Sequence, residues 1–387
     1  MDKMLSLCEE DMQEVVRLGQ PQPLLWRSEP RTLLKHHLYR QYLYCWMGKI
    51  CQTFDRAAIV DAFAGPGEYK DGVAGSSIVI AKAYLEHSAH PRFKELALLC
   101  LEKRQDRRDH LVEQIDKIPR PAKFKPVVFP PGEAVDSFAE LDAFAHHGDP
   151  ARPTLWILDP FDISSVPFDL VKLCLARPRD EVLITWFADE IFRFCTDTSK
   201  HRALDRHFGH AEWRHALQVN GELRRKEALQ RAYLTGLESL PGVKAKAFSI
   251  SSKNASARYS LVFATHSIKG LECFNAARWQ MDPMLGKSAS EKIPIEQEGL
   301  FATADVSGLR VWLETLAGKA QQFEQLLEKT ISLGFKETHL RATLDEMATE
   351  GLAVRERPLD YSRSPWPPGS IIRFYAPALD ISADVST

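Results

Sequence analysis

Two short stretches concentrate residues able to hold a ligand and act on it. The first, DAFAGPGEYKDG, follows an apolar run and supplies Asp61, Ala62, Phe63, Ala64, Gly65, Gly67, Tyr69, Lys70 and Asp71. The second, DPFD, ends another apolar run with Asp159, Pro160, Phe161 and Asp162. Glycines at 65 and 67 remove side chains, so the backbone can approach a ligand closely. Asp61, at the end of its run, can accept hydrogen bonds or attract an amino group, and Phe63 offers an apolar wall. Nucleotide-phosphate readings fail on spacing: no G-x-x-x-x-G-K-[S/T] run is present, and Lys70 occupies the third glycine position of the dinucleotide fingerprint. A tight strand-to-helix crossing without a ligand is the alternative.

A second apolar run, LALLCLEK, ends in Glu102 and Lys103, where a carboxylate would hold ribose hydroxyls. The spacing from Gly67 exceeds the usual ~20 residues of such folds; the excess is the loop EYKDGVAGSS, which puts Tyr69, Lys70 and Asp71 within reach of a substrate. D-x-F-x-G-x-G at the end of a first strand resembles the pattern of class I S-adenosylmethionine-dependent methyltransferases. That resemblance implies S-adenosyl-L-methionine as cofactor. Asp159, Pro160 and Phe161 resemble part of the D/N-P-P-Y/F/W motif of amino-methyltransferases. There a carboxylate or amide and a backbone carbonyl accept the amine's hydrogens, an aromatic ring stacks on the base, and transfer needs mainly in-line positioning. Asp162 has no counterpart in that motif, and a strand-ending turn with Phe161 in the core is the alternative. No Pro-Cys pair exists, which excludes cytosine-C5 chemistry.

The sequence has 387 residues and a formal charge of −2, so no global field marks a nucleic-acid binder. No run of about 18 apolar residues exists, and the N-terminus is acidic where a signal peptide is basic and then apolar; a cytoplasmic location is expected. The seven cysteines, at 8, 45, 51, 100, 174, 195 and 273, form no C-x-x-C pair. They are expected to be reduced and structural, with no metal site. The pairs His36-His37 and His146-His147 lack ligand partners at helical spacing and read as surface histidines.

Positioning these residues requires an α/β framework. Residues 31 to 54 have one apolar helical face, and a strand follows at Ala58 to Phe63. The stretch SSIVIAKAYLEH reads as a helix with a serine cap. Apolar strands then alternate with amphipathic helices through EVLITWF, which indicates a parallel sheet covered on both faces. Residues 189–240 read as an inserted helical cap with 9 Lys+Arg against 7 Asp+Glu between 190 and 240. VKAKAFSIS and RYSLVFATHS read as paired strands that give the sheet an antiparallel edge. Five segments result: an N-terminal helical segment 1–56, a sheet domain 57–188 and 241–290, the cap, a module at 300–376, and a tail at 377–387. The module's helix, helix and two-strand order is that of a winged helix; its 9 Lys+Arg against 10 Asp+Glu over residues 301–375 leave nucleic-acid contact and structural packing equally open. Residues 17–56 interleave 7 Lys+Arg and 2 Asp+Glu with aromatic rings, a composition that suits single-stranded or flipped nucleotides.

Several stretches together resemble the three-Cys-motif partner family: KHHLYRQYLYCW, IVDAFAGPGEYKDGVAGSS, ILDPFDISSVPFDLVKLCLARPRDEVLITWFADEIFRF, HFGHAEW and RYSLVFATHSIKGLECF. The resemblance implies a Rossmann-like class I methyltransferase fold, mostly parallel, with an inserted helical cap and a C-terminal winged-helix-like module. It also implies a radical S-adenosylmethionine-type three-Cys-motif protein as partner. A more distant likeness is to J-type ribosomal RNA adenine-N6 methyltransferases. Lys35 and His36 match their L-K-H; Asp61, Ala64, Gly65, Gly67 and Tyr69 match their first loop; Asp159 and Pro160 match their catalytic motif. Lys35 would then lie over the cofactor site, near its carboxylate. The expected function is methyl transfer to a nucleobase or nucleic-acid amine; the alternative is a non-catalytic, cofactor-binding partner of a radical enzyme.

Overall fold

A computed structural model describes residues 23–251, 258–291, 304–356 and 365–376. The expected loop at 252–257 and tail at 377–387 lie outside them.

The apolar runs form strands β1 (Arg56–Asp61), β2 (Glu95–Cys100), β3 (Phe124–Val128), β4 (Thr154–Leu158) and β5 (Asp180–Trp186), all parallel. β1, β2, β4 and β5 are buried on both faces, so their side chains alternate between two cores rather than between core and water, while β3 at the edge is only partly buried. Ile59, Leu98 and Ile157 enter one core, and Val60, Leu99 and Trp156 the other. Helices α1 (Pro30–Thr53), α2 (Ser76–Glu86) and α3 (Gln105–Asp116) cover the first face. α4 (Phe138–His146) and α5 (Phe168–Cys174) cover the second.

After β5 come α6 (Ala188–Phe194), α7 (His201–Phe208) and α8 (Glu222–Glu238). Leu204, Phe208, Leu229, Tyr233 and Leu237 are buried in the second core. The insertion is therefore a covering layer of the sheet, not a cap standing off from it. β6 (Lys244–Ser251) and β7 (Arg258–Thr265) pair antiparallel as expected, but β7 lies between β5 and β6. The edge is β8 (Ser288–Ser290), parallel to β6 and preceded by α9 (Ile268–Met281). The order 3-2-1-4-5-7-6-8, with one antiparallel strand at β7, is the Rossmann-like class I methyltransferase arrangement. The order reverses between β1 and β4, so a crevice opens at their carboxyl ends.

The C-terminal module is α10 (Ser307–Glu314), β9 (Ala320–Gln322), α11 (Phe323–Leu333), α12 (Glu337–Thr349), β10 (Ala353–Arg355) and β11 (Ile371–Phe374). The two expected helices and strands are present, joined by α10 and β9 that sequence reading missed. The strands form an antiparallel sheet in the order 10-11-9 over the module's own core. It docks on α9, where Asn275 Nδ2 donates to the Ile331 carbonyl at 2.8 Å and Trp279 Nε1 to that of Gly334 at 2.8 Å. Among the described residues no helix is long and apolar enough to cross a membrane.

Three local expectations are corrected. Ser76 does not cap α2: Gly75 takes that position, and the serine hydroxyls turn inward. His36 and His146 are buried rather than on the surface; His146 bonds Asp180 at 3.0 Å because its helix face turns toward β5. Cys45 and Cys273 are not reduced thiols. They form a disulfide that joins α1 to α9 across 228 residues of sequence, while Cys51, Cys100, Cys174 and Cys195 are buried and free. Removing such a long cross-link costs roughly 2–4 kcal/mol. Reductant is therefore expected to lower the thermal midpoint of the wild type, whereas Cys45→Ser starts lower and does not respond. An unchanged wild-type midpoint on reduction would show the cross-link to be absent.

Candidate functional site

At the β1–β4 crevice lies a cavity of about 390 Å³. Its walls come from the glycine loop (Phe63, Ala64, Gly65, Gly67, Tyr69), the end of β4 (Asp159, Pro160, Phe161) and Lys35 of α1. A smaller adjoining cavity is lined by Ala62, Glu102, Lys103 and Asp162, and both share Phe63 and Phe161. Most of the sequence-derived residues thus fall into two adjoining compartments, and His36, Asp61, Lys70 and Asp71 line neither.

The glycine loop needs its glycines. Gly65 and Gly67 have φ values of 61° and 82°, a left-handed region costly for other residues. A Cβ on Gly67 would sit 2.8 Å from Leu111 Cδ1, and one on Gly75 would sit 2.9 Å from the Gly67 carbonyl carbon. Gly75 N–H donates to the Gly67 carbonyl at 2.7 Å, closing the loop against the start of α2.

Asp61 does not face the ligand space. It is fully buried, and its Oδ2 accepts from Ser76 Oγ at 2.7 Å and Ser77 Oγ at 2.6 Å, while Oδ1 has no partner. Burial pushes its pKa up to about 6 against the two serine bonds that lower it. Its role is to tie β1 to α2 behind the loop. His36 also stays out of the cavity: burial, reinforced by the Lys35 charge, pushes its pKa down to about 3 and leaves the ring neutral.

Lys70 and Asp71 are exposed and line neither cavity. The loop folds back on itself, with Tyr69 N–H donating to the Val73 carbonyl at 2.8 Å. Asp71 instead accepts from Ser28 Oγ at 2.6 Å, and Lys70 N–H donates to the Trp26 carbonyl at 2.9 Å. Asp162 lines the smaller cavity, but its carboxylate caps a short 3-10 turn by accepting from Ser164 and Ser165 N–H groups. That explains the fourth residue of D-P-F-D without a role in chemistry.

The Asp159 carboxylate lines the main cavity at the end of β4. One oxygen is ion-paired with Lys35 Nζ, and the other accepts from Thr185 Oγ1 at 2.5 Å. Burial alone would depress the Lys35 ammonium. The Asp159 charge reverses that and holds its pKa well above the ordinary lysine value, so the lysine stays protonated. Phe161 is 56 % exposed rather than in the core and meets Trp26 edge-on, ring centres 5.3 Å apart.

Glu102 is buried at the end of β2, where Oε1 accepts from Arg104 N–H at 2.8 Å, and Lys103 lies 3.6 Å from Glu133. Sequence reading missed Thr185, Tyr259 and Arg193, all in the main wall, where Trp26, one of the rings of the 17–56 segment, also lies. Thr185 could have been found from topology, since the ends of β4 and β5 are neighbours. Among the described residues no cluster of three or more His, Cys, Asp and Glu could hold a metal.

No protein-family model matches the sequence, and no curated protein matches it. Solved structures with related backbones include the O-methyltransferase from Bacillus cereus in complex with SAH (13 % identity, covering 68 % of this chain and 90 % of that one, TM-score 0.33). They also include the O-methyltransferase TomG from Streptomyces achromogenes in complex with SAM (14 %, 62 % and 92 %, TM-score 0.32). A third is cofactor-bound Rv0187 from MTB (14 %, 62 % and 90 %, TM-score 0.32). At these scores the fold assignment rests on strand order alone.

Two outcomes follow from the site's electrostatics. A carboxyl whose folded pKa is raised stabilises the fold below its unfolded pKa of about 4, and that contribution is lost as pH rises through about 6. Asp61→Asn should therefore show a flatter loss of stability between these values, by on the order of 2 kcal/mol, in denaturant titrations across pH; a slope identical to wild type contradicts this. Lys35→Met leaves Asp159 uncompensated and should cost on the order of 3 kcal/mol in the same assay.

Proposed function

We propose that the chain is an S-adenosylmethionine-dependent methyltransferase acting on an amine of a nucleobase or nucleic acid. The observation that carries this reading is the convergence of the glycine cradle, Glu102 and Asp159 on adjoining cavities at the sheet's switch point. The donor set fits the cofactor. Gly65 and Gly67 open backbone toward its methionine part, Glu102 supplies a carboxylate for ribose hydroxyls, and Phe63 supplies an apolar wall. Bound there, S-adenosylmethionine would supply an electrophilic methyl group.

The chain's own residues do the rest. Asp159, paired with Lys35 and oriented by Thr185, accepts a hydrogen bond from the acceptor's amine and fixes its lone pair. Phe161, exposed at the rim, bounds the acceptor ring. Residues 307–374 are assigned as a winged-helix-like module, and the three-Cys-motif partner family is the proposed relation, with a radical S-adenosylmethionine-type protein as partner.

A second reading, a cofactor-binding partner without transferase activity, is favoured by one observation: both Asp159 oxygens already have partners, Lys35 and Thr185. Calorimetry and transfer assays separate the two. S-adenosylhomocysteine should bind wild type and Asp159→Ala alike, and Glu102→Ala on the order of tenfold more weakly, the loss of about one charge-assisted hydrogen bond. Methyl transfer to RNA or DNA should vanish in Asp159→Ala. Failure of the wild type to bind contradicts the cofactor assignment, and transfer undiminished in Asp159→Ala contradicts the catalytic one.

A further inference from the structure

Ahead of α1 the chain lays a segment against the glycine loop that the sheet does not require. Residues 23–29 form neither helix nor strand, so no backbone ladder holds them. Trp26 and Glu29 of this segment line the main cavity. The Trp26 ring lies against Gly65, its Cη2 standing 3.7 Å from where a Cβ on that glycine would be. It also meets Tyr69 and Phe161 edge-on, with ring centres 5.7 Å and 5.3 Å away. One ring thus spans from the glycine loop to the end of β4.

A few anchors hold the segment there. Lys70 N–H donates to the Trp26 carbonyl at 2.9 Å, and Ser28 donates to Asp71 at the surface, from Oγ at 2.6 Å and from N–H at 3.3 Å. Arg107 of α3 supplies the third anchor. Its Nη2 donates to the Pro23 carbonyl at 3.0 Å, and its guanidinium lies 4.6 Å from the ring centre of Trp26 and 5.7 Å from that of Phe161. Arg107 is buried and its Nε has no partner. Among the described residues it forms no ion pair: Glu102 and Asp106 attract it, and Arg104 repels it, only from longer range. A dehydrated guanidinium bedded on rings and one carbonyl gains cation–π attraction while the segment is down, and regains water when the segment lifts. Both positions therefore satisfy the charge.

We propose that residues 23–29 are a lid over the cofactor cradle, with Trp26 as its latch and Arg107 as the positioning residue that holds the latch. The proposal rests on the cofactor reading of the site and deepens it by stating how the ligand enters and is kept. The elbow is the Glu29–Pro30 junction, where Glu29 is extended with φ −95° and ψ 147°, the conformation a following proline favours. A swing there leaves Lys35, in the second turn of α1, in place. Lifted, the lid opens a path to Gly65; lowered, Trp26 retains the ligand and keeps water from the cavity.

Surface plasmon resonance with S-adenosylhomocysteine over the immobilised full chain reads both rates. Trp26→Ala should raise association as well as dissociation, the latter at least tenfold through loss of the ring and its cation–π contact; a fixed wall would change dissociation alone. Asp71→Ala, outside both cavities, should raise both rates by on the order of threefold, the loss of a surface hydrogen bond. Asp55→Ala, which removes a surface pair with Lys94 at the opposite end of β1, should match wild type.

Residue-resolved hydrogen exchange on the ligand-free chain reads the lid without the cofactor. The Ser28 and Lys70 amides, bonded between lid and loop, should exchange faster than the Tyr69 and Gly75 amides, which are bonded within the loop. Arg107→Met should speed the first pair and leave the second unchanged. Lys70 exchanging no faster than Tyr69, or association rates unmoved by both Trp26→Ala and Asp71→Ala, overturns the lid. Ligand binding with such unmoved rates keeps the cofactor reading and refutes the lid. The expected exchange pattern in a chain that binds no S-adenosylhomocysteine supports the lid over this cavity and refutes the cofactor assigned to it.

Discussion

The site depends on an ion pair between Lys35, which is buried, and Asp159, which is partly buried in the cavity wall, residues 124 positions apart in sequence. The carboxylate offsets the cost of placing the lysine charge there. The pair joins the N-terminal helix to the end of β4, so any chemistry at Asp159 requires α1 to be held firmly against the sheet. Glu181 does much of this holding. It is buried in β5 and accepts from Tyr42 OH at 2.8 Å and Trp46 Nε1 at 2.6 Å, both on α1, and from Thr265 Oγ1 at 2.7 Å on β7. The Cys45–Cys273 disulfide adds a covalent tie to α9. α1 is thus a structural part of the cavity wall rather than an appendage.

The glycine loop obeys a second constraint, close backbone approach. Its return to α2 leaves no room for a Cβ at Gly67 or Gly75, and Asp61 fixes the start of α2 from behind through two serine hydroxyls. The carboxylate is kept where burial disfavours its charge, so the serine bonds must hold it in place. The same economy appears at Asp162, which orders the turn after β4 while Asp159 faces the cavity.

Much of this was legible in the sequence, for identifiable reasons. Five parallel strands read as apolar runs, so the parallel-sheet class followed, while their order in the sheet did not. The glycine spacing excluded phosphate loops, and Asp159, Glu102 and Lys35, singled out by type and spacing, line the two cavities. What was not legible depends on side-chain direction and on distant contacts. Asp61 sits at a strand's end, but only the three-dimensional path of α2 shows that it faces Ser76 and Ser77. Thr185 meets Asp159 because β4 and β5 are neighbours, and Cys45 meets Cys273 across 228 residues. β8 is three small polar-to-neutral residues, SAS, with no propensity signal. Lys70 and Asp71 read as substrate residues because loop length was visible while its backward turn was not.

The central claim is that the crevice at the ends of β1, β2 and β4 holds S-adenosylmethionine against Asp159. A crystal structure grown with S-adenosylhomocysteine tests it most directly. The account predicts density beside Gly65 that reaches Glu102 with its ribose and leaves its sulfur facing Asp159. Well-ordered crystals with the ligand bound elsewhere, or with the crevice empty at saturating concentration, would contradict it.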